Sequence, residues 1–141
     1  MRRMAGIENP SGTMRREDVI DLTVGDVMIP RPKTLPADSS VADVRELLEH
    51  RGVRTILLAE DGDFRGAIER GGLPANADDD EPAAGYADLD PPSVTPETPM
   101  TDAIELLERA REPRLIVLDE EGVALLGLVC AKPGAKTFCV R

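Results

Sequence analysis

Residues able to do chemistry are few and far apart in this sequence of 141 residues. His50 is the only histidine, and the two cysteines are Cys130 and Cys139. Nucleophilic catalysis needs a base beside its nucleophile, and the sequence around His50 offers no such pairing. His50 lies instead at the end of a predicted helix, where an imidazolium interacts favourably with the helix dipole. We therefore predict no catalytic residues and a protein that is not an enzyme.

The two cysteines allow two arrangements. They form no disulfide framework and lack the spacing of a metal site. Pro133-Gly134 is typical of a turn, so residues 126–130 and 137–140 could pair as a hairpin that brings the sulfurs together. The other interpretation, which we favour, is that Cys130 is a small buried hydrophobic residue.

Acidic residues are a third source of chemistry, because carboxylates bind cations. Residues 78–81 are four adjacent acids. They lack the alternating spacing and the final glutamate of a calcium loop, so we predict no metal site. Without a basic residue nearby, their mutual repulsion predicts a solvated and mobile loop.

Charge and hydropathy restrict the possible partners. The formal net charge is −10, and the stretch between Arg70 and Arg109 holds ten acids but no Lys or Arg. Such a surface repels phosphates, which argues against nucleic acid. No apolar run approaches the length of a membrane helix, and no signal peptide is visible. We expect a cytoplasmic protein without a nucleic-acid or membrane partner.

Aromatic residues make up only 2% of the chain: Phe64, Tyr86 and Phe138. The core must therefore consist of aliphatic side chains. Two small halves with so little aromatic bulk bury little surface alone and should depend on each other. The composition predicts a homodimer.

The elements that would position these residues occur in two copies. In the first, polar residues 38–40 precede an amphipathic helix over 41–48, and strands over 55–59 and 64–69 flank a turn at 60–63. A shift of 59 residues places Asp43 and Leu47 on Asp102 and Leu106. Order and spacing agree throughout, so we infer an internal repeat of the pattern strand, helix, strand, turn, strand.

The repeat sets the predicted domain boundaries. Residues 1–16 are polar and patternless and should form a flexible tail. The first repeat covers 19–75, an acidic linker covers 76–90, and the second repeat covers 91–141. Residues 81–87 are either plain linker or one helical turn, and the sequence favours neither.

These motifs, in this order, resemble the CBS domain, the regulatory repeat of the cystathionine-β-synthase type. The residues that carry the resemblance are Asp26-Val27-Met28, Thr34-Leu35, Gly52-Val53-Arg54, Asp61-Gly62 and Gly66-Ala67-Ile68, followed in the second copy by Ser93-Val94, Leu115-Ile116-Val117, Glu121-Gly122 and Gly127-Leu128-Val129. The resemblance implies an α/β (α+β) fold: two tandem β-α-β-β-α units packed as a pseudo-twofold disc. It also implies a stand-alone CBS pair, or Bateman module, that forms homodimers.

The resemblance further implies where a ligand would bind. In ligand-binding relatives the third strand ends in Gly-apolar-apolar-Thr/Ser-x-x-Asp, whose hydroxyl and carboxylate hold the ribose and phosphate of adenosine compounds. Glu69 and Gly72 replace these groups in the first copy, and Cys130 and Pro133 replace them in the second. The candidate ligand-binding residues are Thr34, Leu35, Arg54, Thr55, Ile68, Glu69, Gly72, Ser93, Val94, Pro113, Arg114, Val129, Cys130 and Pro133.

Taken with the substitutions, the resemblance predicts a regulatory module. It would bind an adenosine-containing ligand in the cleft between the repeats and modulate a separate, unidentified client protein. Because Glu69 repels phosphate, S-adenosylmethionine or adenosine is favoured over ATP and AMP. The alternative is a structural homodimerisation or adaptor module whose degenerate nucleotide sites are empty.

Overall fold

The computed structural model describes residues 13–110, 113–132 and 137–139. Its residues cluster into two units that do not follow the sequence order. The first-repeat unit consists of residues 33–91 and 123–125. The second-repeat unit joins residues 92–122 and the residues from 126 onward to the segment up to residue 32, which includes the beginning of the predicted first repeat.

The helices and strands follow the predicted pattern in both copies. In chain order they are β1 (Thr13–Arg15), α1 (Arg16–Val19), α2 (Val24–Val27), β2 (Ile29–Pro30), β3 (Thr34–Pro36), α3 (Val41–Leu48), β4 (Thr55–Glu60), β5 (Asp63–Glu69), β6 (Ser93–Val94), α4 (Met100–Arg109), β7 (Arg114–Leu118), β8 (Leu125–Ala131) and β9 (Thr137–Cys139). Short 3₁₀ helices cover Arg70–Gly72 and Ala83–Tyr86. The mixed α+β prediction and the internal duplication are confirmed.

The first-repeat unit is built on a three-stranded sheet in the order β3-β4-β5. Strand β3 runs parallel to β4, and β4 and β5 form an antiparallel hairpin. Helix α3 begins at a capping box, in which the Ser40 hydroxyl accepts from the Asp43 amide and the Asp43 carboxylate accepts from the Ser40 amide. The helix buries Val44 against Ile56, Leu58 and Ile68, which form the centre of this core.

The second-repeat unit has a larger, six-stranded sheet. Its strand order is β1-β9-β8-β7-β6, and β2 also pairs with β8. Helix α4 buries residues spaced three and four apart, which places them on one helix face: Met100, Ala103, Ile104 and Leu107. Phe138 on β9 is fully buried in the same core.

Each unit includes a short segment that comes ahead of the helix and strands of the other repeat in the chain; we call residues 22–27 and 81–86 the two lead-in segments. Residues 22–24 bond to the start of α4, and residues 81–83 bond to the start of α3. The two sets of hydrogen bonds are the same after the shift of 59 residues: Met100 N–H to Leu22 O and Val24 N–H to Thr98 O, against Val41 N–H to Glu81 O and Ala83 N–H to Ser39 O. The units are therefore assembled reciprocally, each from the body of one repeat and the lead-in of the other.

The end of the predicted tail belongs to a sheet. Thr13–Arg15 forms β1, which pairs antiparallel with β9, and Met14 is buried in the core of the second-repeat unit. The prediction of a flexible tail is therefore wrong for residues 13–16, because Met14 is buried opposite Phe138 in the sheet. Residues 1–12 lie outside the described residues.

The acidic run between the repeats is exposed but anchored. Arg45 on α3 forms an ion pair with Asp79 and donates hydrogen bonds to the carbonyls of Pro74 and Ala75. Residues 78–80 are exposed, as expected for a solvated loop, and Glu81 is half-buried. The premise that no basic group lies nearby is wrong, because Arg45 pairs with Asp79. A helical turn follows the run at Ala83–Tyr86, which decides between the two interpretations of this segment.

Tyr86 and Glu81 brace this turn. The Tyr86 hydroxyl donates a hydrogen bond to the Glu81 carboxylate over 2.9 Å, and the same carboxylate accepts from the Asp78 amide. This hydrogen bond, followed by desolvation and by repulsion from the charges of Glu81 and Asp78, raises the pKa of Tyr86 above its ordinary value. The turn is thus held by a polar contact that depends on a protonated phenol.

The two cysteines are joined. Cys130 on β8 and Cys139 on β9 are register partners and form a disulfide, with their Cα atoms 5.2 Å apart. The favoured interpretation of Cys130 as a simple buried hydrophobic residue is therefore wrong, and the hairpin alternative is correct. Among the described helices, none has the length and apolar character needed to cross a membrane.

Candidate functional site

The first-repeat unit gathers several predicted ligand-binding residues at one end of its sheet. Thr55 begins β4 and lies opposite Glu69, the last residue of β5. The Arg70 amide donates to the Arg54 carbonyl over 2.8 Å, which ties the two strand ends together. Thr34 begins β3, which runs parallel to β4, so its exposed side chain lies towards the same end.

Thr55 presents an unusual polar atom at this strand end. Its Oγ1 is buried and has no hydrogen-bonding partner among the described residues. A buried hydroxyl without a partner costs about 1–3 kcal/mol of free energy relative to a bonded one. An added ligand or water molecule that supplied the missing hydrogen bond would recover this cost.

Arg70 holds the strand end in place, although it is not among the residues predicted from the sequence. Its guanidinium donates to the carbonyls of His50, over 2.8 Å, and Val53, over 2.6 and 3.0 Å. These bonds fix the loop between α3 and β4 directly before Arg54 and Thr55. Arg70 occupies a variable position of the family motif, so only its contacts reveal this positioning role.

The other predicted residues of this repeat contribute in different ways. Ile68 is 1% exposed in the core, so its side chain is committed to packing and only its backbone can face a ligand. Leu35 is half-buried on β3. Gly72 is exposed in the 3₁₀ helix, and a side chain added there would meet no atom within 4 Å. The position at which ligand-binding relatives carry a carboxylate therefore has no side chain here and is surrounded by free space.

The second-repeat unit closes the equivalent strand ends with its own side chains. Arg114 begins β7 at the position equivalent to Thr55, and its guanidinium donates to the carbonyls of Pro113 and Ala131. The Ala131 amide also donates to the Pro113 carbonyl over 2.9 Å. Ser93 and Val94 form β6, which runs parallel to β7, with Ser93 exposed and Val94 buried.

The remaining candidates of this repeat are less able to bind a ligand. Val129 is fully buried in the core. The sulfur of Cys130 is bonded to Cys139, so it cannot replace the hydroxyl that relatives carry at this position. Pro133 lies outside the described residues. The two copies of the predicted site therefore differ. Thr55 Oγ1 of the first copy has no partner among the described residues, whereas the Arg114 guanidinium and the Cys130 sulfur of the second copy are bonded.

A cavity of about 660 Å³ lies within the first-repeat unit beside α3, and Leu35 is the one candidate ligand-binding residue among the described residues that line it. Its polar lining is mostly carboxylate, and no Lys or Arg is among the described residues that line it: Leu35, Pro36, Asp38, Ser39, Asp43, Glu46, Leu47, Glu49 and His50. Such a lining disfavours anions. Across the described residues, no cluster of His, Cys, Asp or Glu side chains is arranged to hold a metal ion.

Comparison with known proteins identifies both repeats. The family model of the CBS domain matches residues 24–73 and 86–132. A search of the curated proteins finds no match.

Solved structures agree with the family match. The CBS-pair protein CBSX2 from Arabidopsis thaliana is 25% identical, with a TM-score of 0.67 over 77% of this chain and 87% of that one. A structure of CBSX2 in complex with AMP is 27% identical, with a TM-score of 0.66 over 75% of this chain and 87% of that one. A CBS domain pair/ACT domain protein from Thermotoga maritima, 22% identical, shares the fold with a TM-score of 0.63 over 76% and 88%.

Proposed function

The chain belongs to the CBS domain family, and on that premise we propose that it binds an adenosine-containing ligand and thereby modulates a partner protein. CBS pairs are typically regulatory, ligand-sensing modules and not catalysts. The ligand, the partner, a cytoplasmic location and the absence of enzymatic activity are parts of the proposal.

The unpartnered hydroxyl of Thr55 is the observation that carries this proposal. It lies at the strand end where the family resemblance places ligand contacts, and Arg70 holds the preceding loop in position. A ligand that hydrogen-bonds to Thr55 Oγ1 would satisfy a buried polar group that the described residues leave unbonded. The AMP complex of CBSX2 supports adenosine as the shared part of the ligand.

Charge at the same strand end suggests which adenosine compound binds best. Glu69 is half-buried and lies opposite Thr55, and Gly72 supplies no carboxylate for the ribose hydroxyls. A phosphate near Glu69 would be repelled, whereas the sulfonium of S-adenosylmethionine would be attracted. We therefore propose that adenosine and S-adenosylmethionine bind more tightly than AMP and ATP, although CBSX2 binds AMP.

A second function is favoured by the second-repeat unit. Its strand ends are bridged by Arg114, and its Cys130 is held in a disulfide. If the first-repeat site is also empty, the chain acts as a homodimerisation or adaptor module.

Calorimetry with adenosine, S-adenosylmethionine, AMP and ATP tests the first proposal. The matched variant Thr55→Val keeps the side-chain shape but removes the hydroxyl, and it should weaken adenosine binding about three- to tenfold. Equal affinities for the protein and this variant would contradict the role of Thr55. Tighter binding of ATP or AMP than of adenosine would contradict the role of Glu69.

The double variant Glu69→Thr/Gly72→Asp restores the family pattern in the first copy. It should strengthen AMP binding about ten- to a hundredfold, because it removes a repulsion and adds a charged hydrogen-bond acceptor. Glu69→Thr alone is the control and should give only part of the gain. No measurable binding of any adenosine compound to the protein would favour the second function.

Light scattering tests the homodimer. We expect the mass of a dimer at tens of micromolar protein, because each unit is small and apolar side chains remain exposed. A monomer mass at that concentration would contradict both the homodimer and the dimerisation function.

A further inference from the structure

The disulfide ties down a strand that has few other attachments. The described ladder between β8 and β9 has only two register pairs, Cys130 with Cys139 and Ala131 with Phe138. One further backbone hydrogen bond, from the Lys132 amide to the Thr137 carbonyl, closes the hairpin. The disulfide therefore links one of the only two described residue pairs between β8 and β9, and it contributes much of the attachment of β9 to β8.

Strand β1 depends on β9 in turn. Among the described strands, β1 is at the edge of the sheet and pairs with β9 alone, through residues 13–15 and 137–139. Whatever loosens β9 from β8 therefore loosens β1 as well. The burial of Phe138 and Met14 in the core opposes this release. Two contributions therefore hold β1 and β9 on the sheet: the burial of Met14 and Phe138, and the disulfide bond.

The other unit shows that the repeat does not need this bond. Strand β5 is equivalent to β8, and it ends at Glu69 and continues into the 3₁₀ helix at Arg70–Gly72. The described part of the first-repeat unit contains no counterpart of β9 and no cysteine. The cross-linked strand is an addition to the second copy, which suggests a role beyond folding.

We propose that Cys130–Cys139 is a reversible redox site that latches the outer strands β9 and β1 to the second-repeat unit. A dithiol reductant is the reaction partner. Cys139 is half-buried and Cys130 is only 7% exposed, so the reductant thiolate attacks the sulfur of Cys139. Reduction opens the latch, and reoxidation closes it.

The exchange balances in two steps. The first thiolate of the reductant forms a mixed disulfide with Cys139, and Cys130 leaves as a thiolate that takes up a proton. The second thiol of the reductant then attacks its own bound sulfur, which releases the Cys139 thiolate to be protonated. The protein disulfide gains two electrons and two protons, and the reductant becomes a cyclic disulfide.

Loop-closure entropy sets the size of the expected effect. The cysteines are separated by nine positions, and cross-linking a loop of this length favours the closed state by a factor of about 100. Phe138 stays available for burial after reduction. Reduction should therefore raise the frequency of strand opening and leave the rest of the unit folded.

Hydrogen exchange on the full chain, read by mass spectrometry with and without dithiothreitol, tests the latch. The oxidation state is verified by alkylating free thiols before and after reduction. On reduction, amides of β9 and β1 should exchange about ten to a hundred times faster. Amides of β4 and β5 in the first-repeat unit should not change.

The control is the double variant Cys130→Ala/Cys139→Ala. It should exchange rapidly in β9 and β1 whether or not dithiothreitol is present. Three outcomes would overturn the proposal: two free thiols in protein purified without reductant and exposed to air, unchanged exchange in β9 after reduction, or equal acceleration in α4 and β7. The last would identify a structural cross-link whose loss unfolds the whole unit.

Discussion

The two units share their beginnings and differ at their ends. In both units a lead-in segment forms two backbone hydrogen bonds with the start of the helix, α3 or α4, and the two pairs of bonds are equivalent after a shift of 59 residues. At the strand ends, the first-repeat unit leaves the Thr55 hydroxyl unbonded, whereas the second-repeat unit has Arg114 and the Cys130–Cys139 bond. The duplication has thus kept the backbone framework and allowed the side chains at the strand ends to diverge.

The largest expected difference between the units concerns their phenylalanines. Phe138 is fully buried in the second-repeat unit, whereas Phe64 on β5 is only half-buried. Phe138→Ala should lower the free energy of unfolding by about 3–5 kcal/mol, and Phe64→Ala by about 1–2 kcal/mol. Urea unfolding measures both values. Equal losses would show that burial does not distinguish the two positions.

Glycines at equivalent positions give the next largest difference. A Cβ added at Gly66, which has a φ of +145°, would lie 2.8 Å from the Ala87 Cβ. One added at Gly127 would lie 2.6 Å from the Met28 sulfur, on a flexible side chain, and 3.0 Å from the Ile29 carbonyl oxygen. Gly66→Ala combines backbone strain with overpacking and should cost about 2–4 kcal/mol. Gly127→Ala should cost about 1–3 kcal/mol. A larger melting-temperature loss for Gly127→Ala would reverse this order.

A smaller effect, opposite in sign, is expected at Thr55. Without ligand, Thr55→Val removes a buried hydroxyl that has no partner among the described residues. The free energy of unfolding should therefore rise by up to about 1 kcal/mol. Denaturant unfolding of the unliganded protein measures this change, and a clear loss of stability would mean that the hydroxyl is bonded in solution.

The smallest effect concerns the two lead-in turns. Tyr86 braces one turn through Glu81, whereas the equivalent residue of the other turn, Val27, is buried. Since the pKa of Tyr86 is raised in the folded state, its contribution is fully present below pH 10, about the ordinary tyrosine value. It is lost as the pH rises through the higher folded value.

Tyr86→Phe should therefore slightly lower the melting temperature at neutral pH. The difference from the unmodified protein should shrink in strongly alkaline solution. Val27→Ala, the control in the other turn, truncates a buried side chain and should lower the melting temperature by more, but by the same amount at both pH values. A Tyr86→Phe effect that grows with pH would contradict the hydrogen bond to Glu81.

Periodicity made the framework predictable. The apolar spacing around Val44 and the repeated acidic helix faces predicted α3, α4 and the duplication, because local patterns decide which face of a helix is buried. The same local patterns predicted strands over 55–59 and 64–69, and the resemblance to a known family selected Thr55 and Glu69, at their ends, as candidate ligand-binding residues. Long-range pairings were not predictable in this way. The contact of Arg45 with Asp79 and the burial of Met14 each join segments whose separation carries no local signal.

The disulfide is another long-range pairing that local sequence patterns did not predict. Residues 126–140 were compatible with a hairpin, but two cysteines nine positions apart predict a bond only once the register of the strands is known. Composition alone favoured a simple buried thiol. The antiparallel register of β8 and β9 made the difference.

The exchange of lead-in segments determines the order in which the chain can fold during its synthesis. All but three residues of the first-repeat unit lie in one stretch, 33–91, so most of this unit can assemble as soon as that stretch has been made. Residues 13–32 are synthesised earlier, but the rest of their unit, residues 92–122 and those from 126 onward, is made last. Closing contacts over so long a separation is slow, and the waiting segment leaves Val19, Val24 and Val27 uncovered. The growing chain is therefore most prone to aggregate after the first-repeat unit has largely formed and before the second-repeat unit has covered these three valines.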